Sequence, residues 1–382
     1  MRNLIKENTI NFVKSCELEI GNYKLNKYSR KSEFGLPFAI FIYHLFGETK
    51  HLIEFKEIYS EILIKNIQKT YTSRSSQISE ILYDKYFLQL LCFTLSALKI
   101  LGTINNNPLE SYTEDLYKNI RTDKYLKNIE ALSGKPGSGN FAMFYAVNQI
   151  HRKLYLNKNS DSNINIWVDL HQKSMNKHGL WSNQRSCPYV QFQNGYHQYE
   201  ILNFLERDGI YWDNSAKLVL SLQDLDGQFA PYPGGGGCYD YDAIYFLTSK
   251  RNKLDLKPNL VFYRTINSII NSINKDGGSA ENIFLRPQTI QNIFKILKHI
   301  FFSKSNGFNS RLMTNLKLIL PKHNKLKTHW PTREWGESNL WDTWFRHLTI
   351  FRLCKRYPEY FRKEDYGYSA KGFIDYPGIG FF

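Results

Sequence analysis

Two carboxyls, two tyrosines and a thiol are crowded into Cys238-Tyr239-Asp240-Tyr241-Asp242, directly after the four glycines 234–237. An Asp in aromatic surroundings loses solvation, its pKa rises, and it becomes a general acid at neutral pH. Asp240 and Asp242 are two apart, so on a helix only one of them can face a cavity; Tyr239 and Asp242, three apart, can share a face. The plainer alternative is an acid that stabilises a helix N-terminus. A second cluster, Tyr196-His197-Gln198-Tyr199-Glu200, sets Tyr196, Tyr199 and Glu200 on one helical face beside His197. Those groups suit acid–base work on a sugar ring, or equally a hydrogen-bonded core.

Trp341, Trp344 and Phe345 form a third group, an aromatic stripe at i, i+3, i+4 that could stabilise a carbocation, stack on a sugar, or pack a core. Asp342 and Arg346, four apart on the same stretch, are expected to pair. The candidate catalytic residues are therefore Asp242, Asp240, His197 and Tyr239. The candidate substrate-binding residues are Trp181, Tyr196, Glu200, Trp341, Asp342, Trp344 and Asn140. Cys238, Asp240 and His197 are residue types that suit zinc. The sequence itself requires no cofactor, and either zinc or magnesium is compatible with it. It contains no P-loop, dinucleotide fingerprint or nucleophile elbow.

Over 134–352 an apolar helical stretch repeatedly runs into a Gly-containing turn, a polar or Gly-rich loop, and another apolar helix. The turn glycines Gly179, Gly227 and Gly277 are 48 and 50 residues apart, a period that suits two helices with their loops. A two-helix unit cannot bury its own apolar face, so such units must stack. The reading is all-α, an α/α toroid: a closed ring of helical hairpins. Residues 1–130 are a helical region expected to complete the ring, 131–356 hold the repeats, and 357–382 form an apolar tail docked on it. No alternation long enough to support a sheet is present. Inner helices are expected to begin near Asn140, Tyr196, Tyr239 and Leu340, where free N–H groups make natural anion sites. Asn140 is expected to cap the turn Gly137-Ser138-Gly139.

These turns resemble the repeats of the terpenoid cyclase and protein prenyltransferase superfamily. Ser221-Leu222-Gln223-Asp224-Leu225-Asp226-Gly227-Gln228-Phe229 is similar to its Ser-Leu-Gln-x-x-Asp-Gly turn. Ser338-Asn339-Leu340-Trp341-Asp342-Thr343 resembles the Ser-x-x-Trp-Asp-Thr segment that opens an inner helix in squalene-type cyclases. Gly237-Cys238-Tyr239 resembles a helix start in prenyltransferase β subunits. The resemblance covers a little over half the chain and implies a toroid with an aromatic central cavity. Two departures stand out. The Asp-x-Asp-Asp acid motif of the cyclases is absent, its nearest counterparts being Asp224-Leu225-Asp226-Gly227 and Asp240-Tyr241-Asp242-Ala243. Gly236 stands where the prenyltransferases place a zinc-binding Asp.

Aromatic residues make up 15% of the 382 residues, enough for a large core and a lined cavity. A net charge of +15 favours anionic partners, here a small-molecule or lipid-like anionic substrate, and is compatible with peripheral membrane contact. Nucleic acid is not expected, because Lys118, Arg121, Lys124, Lys127 and Lys317, Lys322, Lys325, Lys327 accompany no nucleic-acid motif. Five dispersed cysteines without a CxxC suit a reducing compartment, and no signal-peptide run opens the chain, so a cytoplasmic protein is expected, compatible with contact at the inner membrane face. The leading function is an isoprenoid cyclase- or prenyltransferase-like enzyme with acid catalysis from an Asp at an inner-helix start. The alternative is a glycan-processing toroid (a lyase, hydrolase or epimerase), and the third a non-catalytic binding toroid.

Overall fold

The computed structural model describes residues 2–74, 78–106, 109–117, 120–182, 187–207, 211–251, 253–285, 289–301, 307–320, 325–326, 333–373 and 375–378. Lys118, Lys322, Lys327, Ile374 and residues 379–382 lie outside them. The fold is predominantly helical. The N-terminal part comprises α1 (Arg2–Ser15), α2 (Gly35–Phe46), α3 (Thr49–Glu54), α4 (Lys56–Arg74), α5 (Ile78–Ile81), α6 (Lys85–Leu101), α7 (Glu110–Tyr117) and α8 (Thr122–Asn128). The repeat region follows with α9 (Ser138–Tyr155), α10 (Asp161–Lys173), α11 (Pro188–Phe204), α12 (Trp212–Ser221), α13 (Gly237–Thr248) and α14 (Pro258–Asn271). Then come α15 (Ile290–Phe301), α16 (Phe308–Ile319) and α17 (Leu340–Arg356). Among the described residues the helices are accompanied by two small antiparallel pairs: β1 (Glu17–Glu19) with β2 (Asn22–Tyr23), and β3 (Lys325–Leu326) with β4 (Arg333–Glu334). They are too short for alternation to register in the sequence.

The helices fall into two sets by burial. On α2, α6, α9, α13 and α17 nearly every residue beyond the first turn is buried, whereas α10, α12 and α14 bury one stripe each. The helices buried all round, with α11, pack in sequence: α2 on α6, α6 on α9, α9 on α11, α11 on α13, α13 on α17, and α17 on α2. The one-sided helices lie against these, α4 on α6, α10 on α9, α12 on α13 and α14 on α17. Local signals set the ends. The Asp84 side chain accepts from Phe87 N to start α6, Asn339 accepts from Asp342 N to start α17, and Pro188 and Pro258 occupy the first turns of α11 and α14.

The three period-setting turns share one geometry. In each, a glycine at φ +71, +83 or +86 (Gly179, Gly227, Gly277) donates its N–H to a carbonyl three residues back, at Asn176, Asp224 or Asn274. The amides of those same three residues donate to Leu180, Gln228 and Gly278 in turn. Glycine takes this left-handed backbone without strain, and a Cβ at any of the three would stand within 2.5 Å of a neighbouring atom. Each turn then docks by its glycine carbonyl, which accepts from the hydroxyl of Tyr199, Thr265 or Thr9. Thr9 lies on α1, so the last repeat turn is tied to the first helix.

Between the last turn and α17 the chain makes an excursion over 280–338. It leaves and returns at one point, where Asn339 N donates to Ser279 O at 3.0 Å and Ser279 N donates to Thr343 Oγ1 at 2.8 Å. The excursion carries α15, α16, β3 and β4 and has a small core of its own. There Leu285, Ile296, Ile300 and Trp335 pack with Ala230 and Tyr232 from the Gly-rich loop.

Candidate active site

One cavity of about 510 Å³ lies where α6, α9, α11, α13 and α17 come together, within the range of roughly 300–1,000 Å³ usual for small-molecule sites. Its aromatic wall is Phe93, Tyr196, Tyr232, Tyr239, Trp341 and Phe345. Its polar groups are Lys85, Gln89, Asn140, Gln193, His197, Asp242, Glu281 and Arg333, with Cys238 among them. Helix phase explains the membership. Cys238, Tyr239 and Asp242 project from one side of the first turns of α13, and Trp341 and Phe345 stand four apart on α17.

Asp240 and Asp242 divide as helix geometry requires. Asp240 points away from the cavity, where its carboxylate accepts from Phe229 N at 2.7 Å, from Gly236 N at 3.0 Å and from Arg346 Nη1 at 2.6 Å. It is a fastener between α13, the Gly-rich loop and α17. Burial lifts its pKa to about 6, against the pull of Arg346. The expected Asp342–Arg346 pair is not made: Arg346 serves Asp240, and Asp342 receives Arg333 Nη2 at 2.8 Å and the Asn339 amide. The four-residue spacing allowed the pair, but the cation bends toward the buried carboxylate of the neighbouring helix instead.

Asp242 faces the cavity. It is fully buried, and among the described residues neither of its oxygens has a hydrogen-bond partner. Burial first, then the nearby carboxylates of Glu200 and Asp240, raise its pKa well above the usual carboxylate range. Burial of this kind favours the protonated form of a carboxyl, which here is turned toward whatever fills the cavity. Glu281 is a second carboxyl of raised pKa on the same wall. Burial and the adjoining Asp342 push it up to about 8, although Arg333 pulls it down. It accepts from Tyr232 Oη at 2.7 Å and lies 3.5 Å from Arg333 Nη2. The glycines of the loop make room for this arrangement. A Cβ on Gly236 would stand 2.7 Å from Glu281 Oε1, and one on Gly237 would stand 2.8 Å from Asp342 Oδ1.

Burial also shifts the titration of His197, Lys85 and Cys238. Burial drives His197 down to about 3, with Lys85 adding to the effect, so its imidazole is neutral. Its Nδ1 has no hydrogen-bond partner among the described residues. Burial also lowers Lys85 and holds the Cys238 thiol well above its ordinary value, so Cys238 is a thiol and not a thiolate. Arg333 is buried and gives Nη2 to Asp342, but its Nε and Nη1 have no protein partner among the described residues.

Several sequence expectations are corrected here. Cys238 and His197 reach the same cavity, but Asp240 is tied to Arg346 on the other side of α13. The three residues whose types suit zinc are therefore not brought together, and among the described residues no group of three His, Cys, Asp or Glu is disposed to hold a metal. The helix starts do not stand open as anion sites. Gly137 N and Gly139 N donate to Asn194 Oδ1, so Asn194 and not Asn140 caps α9, and Asn140 faces the cavity instead. The α13 start is faced by the protein's own Asp240, Glu281 and Asp342. Tyr196 is no helix start, since α11 begins at Pro188. Tyr199 turns away from Tyr196 to bond Gly179 O and Ser215.

Of the other candidates, Tyr196, Tyr239 and Trp341 line the cavity with Asn140, His197 and Asp242. Glu200 lies a turn deeper and accepts from Gly378 N at 3.2 Å. Trp344 packs on Phe41 of α2 at 5.1 Å, and Trp181 donates its indole N–H to His171 O at 2.9 Å; both are core residues. Sequence reasoning missed Lys85, Gln89, Gln193, Glu281 and Arg333. A signal existed only for Glu281, three residues past the repeat turn at Gly277-Gly278. The tail contributes too: Tyr376 is buried beside His151 and Tyr155, and Gly378 reaches the cavity wall.

Compared with models of known protein families, with curated proteins and with solved structures, the chain gives no match. Among the described residues, no helix is long and apolar enough to cross a membrane.

Proposed function

We propose that the protein is an acid-catalysing enzyme of the isoprenoid cyclase or prenyltransferase type, with Asp242 as the proton donor. The reading is carried by one observation: a fully buried carboxyl without hydrogen-bond partners among the described residues, facing an aromatic-walled cavity. The cyclic order of helix contacts from α2 through α17 supports an α/α toroid completed by residues 1–130. In this mechanism the Asp242 carboxyl gives its proton to one carbon of a substrate double bond, leaving a cation on the other. The faces of Trp341, Phe345 and Tyr239 attract that cation. The neutral His197 imidazole accepts the proton lost at the end, and Lys85 and Arg333 hold an anionic head group where the substrate has one. Titration calorimetry with farnesyl diphosphate and with an acidic oligosaccharide tests the reading. Saturable binding of the first, weakened at least tenfold by Trp341→Ala, is expected; binding of the oligosaccharide alone would overturn it.

A glycan-processing toroid is the second reading, favoured by the amides of Gln89, Asn140 and Gln193 beside two carboxyls of raised pKa, Asp242 and Glu281. Such a lining also suits a sugar, with one carboxyl acting on the leaving group.

A further inference from the structure

The excursion over 280–338 has a composition unlike the rest of the chain. Between Glu281 and Glu334 there is no Asp or Glu, while ten Lys and Arg occur, in a protein whose net charge is +15. Its two helices also invert the usual burial. On α15 the residues Ile290, Ile293, Phe294, Leu297 and Phe301 recur at helical spacing and form one apolar stripe, and that stripe faces outward. Ile290 is 74%, Phe294 67% and Phe301 72% exposed. On α16, Met313, Leu316 and Ile319 are exposed in the same way, and Leu320 follows them.

The opposite faces hold the pair to the body. Ile296 and Ile300 fill the satellite core, His299 bonds Asp224, and Arg311 donates to Tyr189 Oη at 2.7 Å and to Leu222 O at 2.6 Å. The outward stripe is thus presented by a fixed support. Lys295, Lys298 and Lys317 stand exposed around it.

We infer that this face docks on the surface of an anionic lipid bilayer. An amphipathic helix lies in the membrane interface when its apolar face enters the acyl boundary and lysines reach back to the head groups. Charge of a single sign around the stripe complements acidic lipid. A protein partner is the poorer fit, because 289–320 contains no Tyr, no Trp and no acid, and specific interfaces lean on Tyr, Trp and Arg anchors. Its flexible Ile, Leu, Met and Phe side chains match fluid hydrocarbon, which demands no fixed shape.

Sedimentation of the full chain with phosphatidylcholine vesicles, with and without phosphatidylglycerol, tests the inference. Binding to the mixed vesicles should exceed binding to the neutral ones by more than about tenfold, as several lysines near an anionic surface imply. The double variant Phe294→Glu/Leu297→Glu alters only exposed positions and should unfold at the wild-type temperature, yet lose vesicle binding. Lys295→Gln/Lys298→Gln should keep the stripe but reduce the preference for phosphatidylglycerol. Three results would overturn the inference: no vesicle binding by the wild type, equal binding by the double Glu variant, or a wild-type dimer that the same variant converts to monomer in light scattering. The last would mean that a second copy of the chain covers the stripe.

Discussion

Arg346 donates to Asp240 across 2.6 Å, and Asp242, two residues further along the same helix, receives no cation among the described residues. One carboxyl is thereby kept as structure, and the other is left without a cation at the cavity wall, where burial raises its pKa. The pairing across 106 residues ties α13 to α17, the two helices that supply Asp242 and Trp341. The separation of roles leads to distinct expectations for the two acids.

Replacing Arg346 by Met leaves Asp240 buried without its cation, a change expected to cost about 3–5 kcal/mol. Urea unfolding of Arg346→Met measures this. A loss under about 1 kcal/mol would show that the pair is not the fastener described here.

The repeat turn makes its own demand on the backbone. Gly227 sits at φ +83, and a Cβ there would stand 2.5 Å from Thr265 N. Gly227→Ala should lose at least about 1–2 kcal/mol from the left-handed backbone alone. Gly336, with open space around it, provides the control, and Gly336→Ala should be near neutral. Parallel thermal melts of the two variants give the comparison.

Stability should depend on pH in both directions. His151, His171, His197 and His347 are lowered by burial from 6.5 to about 4, 3, 3 and 3. Below about 6.5 the unfolded chain binds protons that these folded imidazoles refuse. Stability is therefore lost as pH falls, by up to about 1.4 kcal/mol per pH unit for each histidine. Glu281 acts the other way. Its carboxyl is raised from 4.5 to about 8, so the folded state holds the extra proton between those values, and its contribution is lost as pH rises through them. Urea unfolding from acid to alkaline pH should give a maximum near neutrality. A profile that stays flat on the acid side would contradict the buried neutral histidines.

The tail is expected to be part of the fold. Tyr376 is buried, with its ring 6.2 Å from Tyr155, and Gly378 N donates to Glu200. Truncation after Lys371 should lower the unfolding temperature, and Tyr376→Ala alone should cost about 3 kcal/mol. Unchanged melting after truncation would place the tail outside the core.

Much of the architecture is written locally. Gly179, Gly227 and Gly277 mark the turns because a left-handed backbone has few other occupants, and apolar residues around the whole helix mark α6 as interior. Asp242, Tyr239, His197 and Trp341 were accessible for the same reason, since helix phase and a Gly-rich start point toward a cavity. What lay hidden depends on distant contacts. Nothing near Asp240 announces Arg346, and nothing near Asn194 announces the α9 start it caps. Arg333 and Glu281 reach the cavity only because the excursion returns at Ser279 and Asn339. Trp344 and Trp181 looked like cavity residues by type, but their side chains meet neighbouring helices and turns.

Product formation by Asp242→Asn is the most direct test of the proposed chemistry. Incubation of wild type and variant with squalene and with farnesyl diphosphate, followed by mass spectrometry of the extracts, reads it out. The variant should melt close to wild type, because the carboxyl it replaces has no hydrogen bond to lose among the described residues. Its rate of product formation should fall by at least about 100-fold, the contribution of a positioned general acid. An Asp242→Asn protein that forms product at the wild-type rate would contradict the assignment of Asp242 as the acid.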